Sequence, residues 1–209
     1  MENQTPSHLI FVVDRSGSMS SIAEEMQKAI DEILKQQKKD QHSNTLVTYI
    51  RFDHRYEKVF SGIPIEEVKD IRIEPEGTTA LLDAIAKSVN SFEIDYNALD
   101  EKKRPEKVLF VIVTDGEENS SKEFSRKQVF GIIETVKRDH NWGFTFVGAN
   151  QDSFAEAGSL GIDRGSTLNY VFTAKGVRNM GQSVSNYVHD YLSTGDAKYS
   201  DEDNQDQKS

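Results

Sequence analysis

The sequence predicts an α/β protein: a three-layer α-β-α sandwich around a mostly parallel sheet, with one antiparallel edge strand. Three observations predict it. Residues 9–13 and 108–113 are uninterrupted apolar runs, the pattern of strands covered on both faces. Strand-like segments alternate with segments whose apolar residues recur every three or four positions, as in βαβ units. Between 45 and 60, two strand-like runs flank His54-Arg55, a hairpin that places one antiparallel strand at the sheet edge.

The elements follow in order. Residues 8–14 form the first strand. A helix over 19–38 puts Met19, Ile22, Met26, Ile30 and Ile33 on one face, with Ser21 and Glu24 spaced for a capping box. Residues 45–53 and 56–60 make the hairpin, and 63–76 are irregular apart from a turn of helix over 65–69. A helix over 80–92 turns Leu81, Leu82, Ile85 and Val89 inward. Residues 93–106 are an excursion, acidic then basic, stopped by Pro105. Strand 108–113 ends in Thr114-Asp115-Gly116, and helix 125–139 buries Val129, Ile132, Ile133 and Val136. Strand 142–149 carries Trp142, Phe144 and Phe146 at period two, which reads as core. A short helix over 153–160 stops at Gly161, followed by strand 168–172 and a last helix over 174–192. Right-handed crossovers then put helices on both sheet faces. The expected layout is a flexible N-terminus at 1–7, one domain at 8–192 and a disordered acidic tail at 193–209.

Composition narrows the function. A chain of 209 residues suits one domain with a full core. Hydrophobic residues make up 36% and charged residues 29%, and no apolar run approaches the about 20 residues that cross a bilayer. Residues 1–7 lack the basic-then-apolar layout of a secretion signal. The absence of cysteine removes disulfides, thiolate zinc sites and cysteine nucleophiles, and fits a cytoplasmic protein. A net charge of −10 argues against nucleic acid or an anionic membrane as partner. The one basic cluster, Lys102-Lys103-Arg104, reads as a solvated loop.

The catalytic signatures are missing. His8, His42, His54, His140 and His189 form no zinc pair and read as surface or strand-end residues. There is no nucleophile elbow, phosphate loop or dinucleotide fingerprint. Ser16 as a nucleophile needs a base, and nothing in the sequence brings His54 or His140 to it.

Three oxygen-rich segments remain. Asp14-Arg15-Ser16-Gly17-Ser18 closes the first strand, Gly77-Thr78-Thr79-Ala80-Leu81 opens a helix, and Thr114-Asp115-Gly116 ends another strand. In open α/β sheets, ligands bind beyond the carboxyl ends of the strands, where all three fall. Singly, each is an ordinary cap or turn. Together they supply hard oxygens for a divalent cation such as Mg²⁺. The set Asp14-x-Ser16-x-Ser18, Thr79 and Asp115 resembles the metal-ion-dependent adhesion site of von Willebrand factor type A domains, over about residues 8–192. The overall character resembles the compact, stand-alone bacterial or phage members.

That resemblance implies a Rossmann-like fold and a metal site. Ser16, Ser18 and Thr79 bind Mg²⁺ or Mn²⁺ through their hydroxyls, while Asp14 and Asp115 act through waters and hydrogen bonds. Thr78 competes with Thr79, because the family often has Gly-Gly-Thr where this chain has Gly77-Thr78-Thr79. Neutral ligands leave the cation under-compensated, so a Glu or Asp from a partner protein completes its shell. The resemblance implies metal-dependent protein binding rather than an enzyme. A phosphate-ester hydrolase, or a regulatory subunit of an ATPase or stress-response complex, is the alternative. Glu117 and Glu118 read as exposed loop charges.

Overall fold

The computed structural model describes residues 5–39, 44–69, 71–149 and 152–205. Its strands are β1 (Ser7–Asp14), β2 (Thr45–Phe52), β3 (Tyr56–Pro64), β4 (Lys107–Thr114), β5 (Gly143–Gly148) and β6 (Thr167–Asn169). The helices are α1 (Ala23–Lys39), α2 (Leu81–Ala98), α3 (Arg126–His140), α4 (Ser153–Ser159), α5 (Ala174–Thr194) and α6 (Asp201–Gln205). The described strands form one sheet in the order β3-β2-β1-β4-β5-β6, and only β2 and β3 pair antiparallel.

Strand alternation explains the layers. Leu9, Phe11 and Val13 join a core with α1 and α5, while Ile10 and Val12 join one with α2 and α3. All five are fully buried, which is why the run is continuously apolar. The parallel strands β1, β4 and β5 deliver Asp14, Thr114 and Gly148 to one rim.

Several elements depart from the sequence reading. Helix α2 continues to Ala98, because Tyr96 packs edge-on to Trp142 at 5.3 Å and supports the Arg104 guanidinium at 5.1 Å. Strand β6 is shorter than expected. Ser21 ends a 3-10 turn (Gly17–Ser21), and Glu24 pairs with Lys28, so no capping box forms there. Ser125 and Gln128 form one at the start of α3 instead. His8 is not a surface residue: it is buried, bonded to Thr48 Oγ1 at 2.8 Å and packed edge-on to Phe92. His140 is half-buried and stacks on Trp142. His42 lies outside the described residues, as do 1–4 of the expected flexible N-terminus and 206–209 of the expected tail.

The rest of the tail is not disordered. Gly195 caps α5 in the left-handed region, at φ 84°, and turns the chain back. Ala197 and Tyr199 are buried. The Tyr199 ring stacks on Tyr187 at 4.5 Å, its hydroxyl bonds Thr145 Oγ1 at 2.9 Å, and α6 follows. An acidic segment folds here because its two apolar side chains are buried together, each contributing about 1–3 kcal/mol. At the other end, Ser7 already belongs to β1 and the Pro6 carbonyl accepts from Glu106 N–H.

Candidate metal centre

Asp14 ends β1 with its carboxylate fully buried. Ser16 N–H donates to Oδ1 at 2.7 Å and the Thr114 hydroxyl to Oδ2 at 2.7 Å. Ser16, itself buried, lies with its Oγ 3.0 Å from Ser18 Oγ. Ser18 sits exposed on the 3-10 turn and donates to Asp115 Oδ1 at 2.9 Å. Thr79, just before α2, is buried. A Cβ placed on Gly116 would stand 3.3 Å from Thr79 Oγ1 and 3.7 Å from Ser18 Oγ, so the three segments meet at that glycine. Asp14, Ser16, Ser18, Thr79 and Asp115 therefore converge. Thr78 is exposed and faces a neighbouring cavity with His54 and Arg55.

The electrostatics fit a hard dication. Burial pushes the Asp14 carboxyl up to about 6, against the lowering by the Thr114 and Ser16 hydrogen bonds. Burial also raises Asp115. The neighbours of Asp14 are hydroxyls and amides rather than cations, and a buried carboxylate so placed is costly until a positive charge compensates it. Two carboxylates and three alcohols form an all-oxygen donor set, the chemistry of Mg²⁺ or Mn²⁺. Among the described residues no three His, Cys, Asp or Glu side chains gather, as expected where alcohols predominate. Beneath the same rim Tyr170 is buried with its hydroxyl unbonded, and its N–H donates to Gly148 O at 2.9 Å. Burial, then the charges of Asp115 and Asp14, hold its phenol well above the usual tyrosine range.

Loops lock these segments in place. Glu118 is not a solvated charge. Its carboxylate accepts from Leu82 N at the start of α2, from Ser120 N and Ser121 N, and from the Ser121 hydroxyl. Asp83 accepts from the amides of Lys122, Glu123 and Phe124. Asn119 Oδ1 takes Thr79 N–H, and Thr79 O accepts from Asn119 N and Ser120 N. Glu117 is exposed, as expected. On the other side, Gly17 N–H donates to Gly77 O and Glu76 N–H to Arg15 O. Gly77 has φ 71°, and a Cβ there would stand 2.3 Å from His54 Nδ1, so only glycine fits.

The sequence reading gave no role to Thr114, Glu118, Asn119 or Asp83. Thr114 stood inside the quoted motif, and an acid in the first turn of a helix is a signal that points to Asp83. Glu118 and Asn119 act across 36 and 40 residues, with no local signal. Neither histidine considered as a base stands by Ser16. His140 bonds Glu93 at 3.2 Å and stacks on Trp142, which precedes β5 at the opposite end of the sheet, and His54 packs on Gly77.

Comparison with known proteins agrees with this geometry. The von Willebrand factor type A domain family matches residues 8–186. No curated protein matches by sequence. The pilus adhesin SpaC from Lactobacillus rhamnosus GG superposes with a TM-score of 0.66 at 13% identity, over 92% of this chain and 31% of that one. The ArnB paralog VWA2 from Sulfolobus acidocaldarius gives 0.61 at 17%, over 88% and 45%. Proximal thread matrix protein 1 from the mussel byssus, solved with a zinc-occupied MIDAS motif, gives 0.60 at 13%, over 88% and 46%. This chain thus spans less than half of each of these solved chains, and at such identities the likeness is one of fold. By its family match over residues 8–186, on a six-stranded sheet whose rim carries the oxygen cluster, the chain belongs to the von Willebrand factor type A domain family.

Proposed function

We propose that the protein is a divalent-metal-dependent protein-binding module. Mg²⁺ or Mn²⁺ is held by the hydroxyls of Ser16, Ser18 and Thr79, with Asp14 and Asp115 orienting them and balancing charge. The observation that carries this reading is the fully buried Asp14 carboxylate, bonded by an amide and an alcohol, beside a chain of hydroxyls that runs to Asp115. The metal-bearing motif of the mussel protein supports it. The bound cation supplies an under-neutralised positive charge that takes a Glu or Asp carboxylate from a partner protein. Thr79 is preferred to Thr78 because it is buried beside Gly116.

The net charge of −10 argues against nucleic acid or an anionic membrane as the partner. Among the described residues, no helix is long and apolar enough to cross a membrane. The cysteine-free sequence supports a cytoplasmic setting. A binding role is preferred to catalysis because Asp14 and Asp115 are engaged in orienting hydroxyls, His140 bonds Glu93 and His54 packs on Gly77.

The test is calorimetric titration of Mg²⁺ and Mn²⁺ into the wild type and a Ser16→Ala/Ser18→Ala variant. The variant should melt like the wild type and lose metal affinity by about 100-fold or more. Equal affinity in the two proteins overturns the assignment.

A further inference from the structure

Thr79 differs from the other oxygen donors of the rim in how its backbone is held. Asp14 belongs to β1, and Ser16 and Ser18 to the 3-10 turn and its cap. Thr79 ends a stretch, 71–79, that contains no helix or strand, and α2 begins at Leu81 behind its cap residue Ala80. Its N–H and carbonyl therefore have no partner within an element, and both turn to residues 119–120. Thr79 N–H donates to Asn119 Oδ1 at 3.0 Å, and Thr79 O accepts from Asn119 N at 3.1 Å and Ser120 N at 3.2 Å. Asn119 thus grips Thr79 twice, with its side chain as acceptor and its main chain as donor.

The loop that carries Asn119 is fixed by other bonds. Glu118 accepts from Leu82 N–H and Ser121 Oγ from Asp83 N–H, two first-turn amides of α2 that no helical carbonyl can reach. The Asp83 carboxylate in return accepts from Lys122, Glu123 and Phe124. The same loop begins at Asp115 and passes Gly116, where a Cβ would stand 3.3 Å from Thr79 Oγ1. Asn119 itself is exposed, and among the described residues the bond to Thr79 is the one its side chain makes. Its removal frees the Thr79 amide and leaves the loop anchored. A ligand hydroxyl has to be held within about 0.5 Å of its working position, so that freedom is costly at a metal site.

We propose that Asn119 is a positioning residue for the metal centre, fixing the Thr79 backbone, and with it the Thr79 hydroxyl, to the loop that begins at Asp115. The role rests on the metal-centre reading above, with Thr79 as a ligand. Asn119 does not touch the cation. It acts through Thr79, and any side chain that keeps an oxygen at Oδ1 performs the same task.

The first experiment is done in chelator and reads the grip alone. Amide hydrogen exchange is followed by NMR in wild type, Asn119→Ala and Asn119→Asp. Exchange at Thr79 should quicken about tenfold or more in Asn119→Ala, while Leu82, held by Glu118, keeps its rate. Asn119→Asp should retain the protection of Thr79. Equal exchange at Thr79 in wild type and Asn119→Ala overturns the proposal.

The second experiment is calorimetric titration of Mg²⁺ and Mn²⁺ into the same three proteins. Asn119→Ala should bind about tenfold or more weakly than wild type, and Asn119→Asp should restore the affinity. Melting curves in chelator should stay close to that of wild type, because Glu118 and Asp83 still hold the loop. Wild-type affinity in Asn119→Ala, or a loss that Asn119→Asp does not rescue, overturns the role of Asn119 and leaves the metal centre standing. Absence of metal uptake by the wild type itself overturns the metal centre, and the positioning role with it.

Discussion

Asp14 and Asp53 occupy the carboxyl ends of neighbouring parallel strands, and both carboxylates are fully buried. They are electrostatic opposites. At Asp53 burial alone would raise the carboxyl, but the hydrogen bonds from Arg55 and the charges of Arg15 and Arg55 outweigh it and hold it below the ordinary value. Arg55 reaches Oδ2 at 2.7 Å. Arg15 Nε lies 3.2 Å away without hydrogen-bond alignment, so its contribution is charge. At Asp14 the partners are an amide and an alcohol, burial wins, and the carboxyl rises to about 6. One buried carboxylate is completed by the chain itself. The other has an amide and an alcohol, the arrangement the proposed metal centre calls for. The difference lies in the partners, arginines at Asp53 and an amide and an alcohol at Asp14.

The comparison breaks most visibly at Asp53. Asp53→Asn removes the buried carboxylate that Arg15 and Arg55 share, leaving Arg15 with Glu57 alone, and should cost about 3–5 kcal/mol in urea unfolding. Next in size is a test of the same rule with a positive charge. His8 is buried, and desolvation lowers it from 6.5 to about 4. The folded state therefore binds this proton less tightly than the unfolded chain. Its contribution is fully present above pH 6.5 and is lost as the pH falls toward 4, about 3 kcal/mol in all. Asp14 runs the other way in metal-free protein, because its raised carboxyl favours the fold at low pH and that gain disappears as the pH rises through about 6. The difference between wild type and His8→Gln, in unfolding midpoints across pH 4 to 7, isolates the first effect.

Asp14→Asn sharpens the comparison further. In chelator at neutral pH it should stabilise the fold by about 1–3 kcal/mol, the reverse of Asp53→Asn, while Mg²⁺ affinity by calorimetry falls about 10- to 100-fold. Destabilisation of the metal-free protein would show that the two aspartates do the same job. The smallest effect is expected at Tyr170, whose hydroxyl is already unbonded: Tyr170→Phe should leave thermal stability within about 1 kcal/mol of wild type.

The sheet and the five converging residues were legible because their signals are local. A continuous apolar run marks β1 as covered on both faces, and Asp14, Ser16 and Ser18 stand on the five residues that close it. The convergence of Thr79 and Asp115 on that turn followed from strand-end topology. What stayed hidden depends on pairs distant in sequence. Glu118 looks like a loop charge until Leu82 N is placed beside it. His8 looks like a strand-end polar residue until Phe92 and Thr48 close around it. Tyr199 stands in a segment whose acidity outweighs two apolar side chains in any window average, yet a docked aromatic decides locally.

That docked aromatic bears on how α5 can move. Tyr199 is tethered at its hydroxyl to β5 through Thr145, while its ring lies flat on Tyr187 in the middle of the helix. Any sliding of α5 along the sheet must shear this stack or drag the return segment away from its strand. The segment thus ties the last long helix to β5 through one tyrosine.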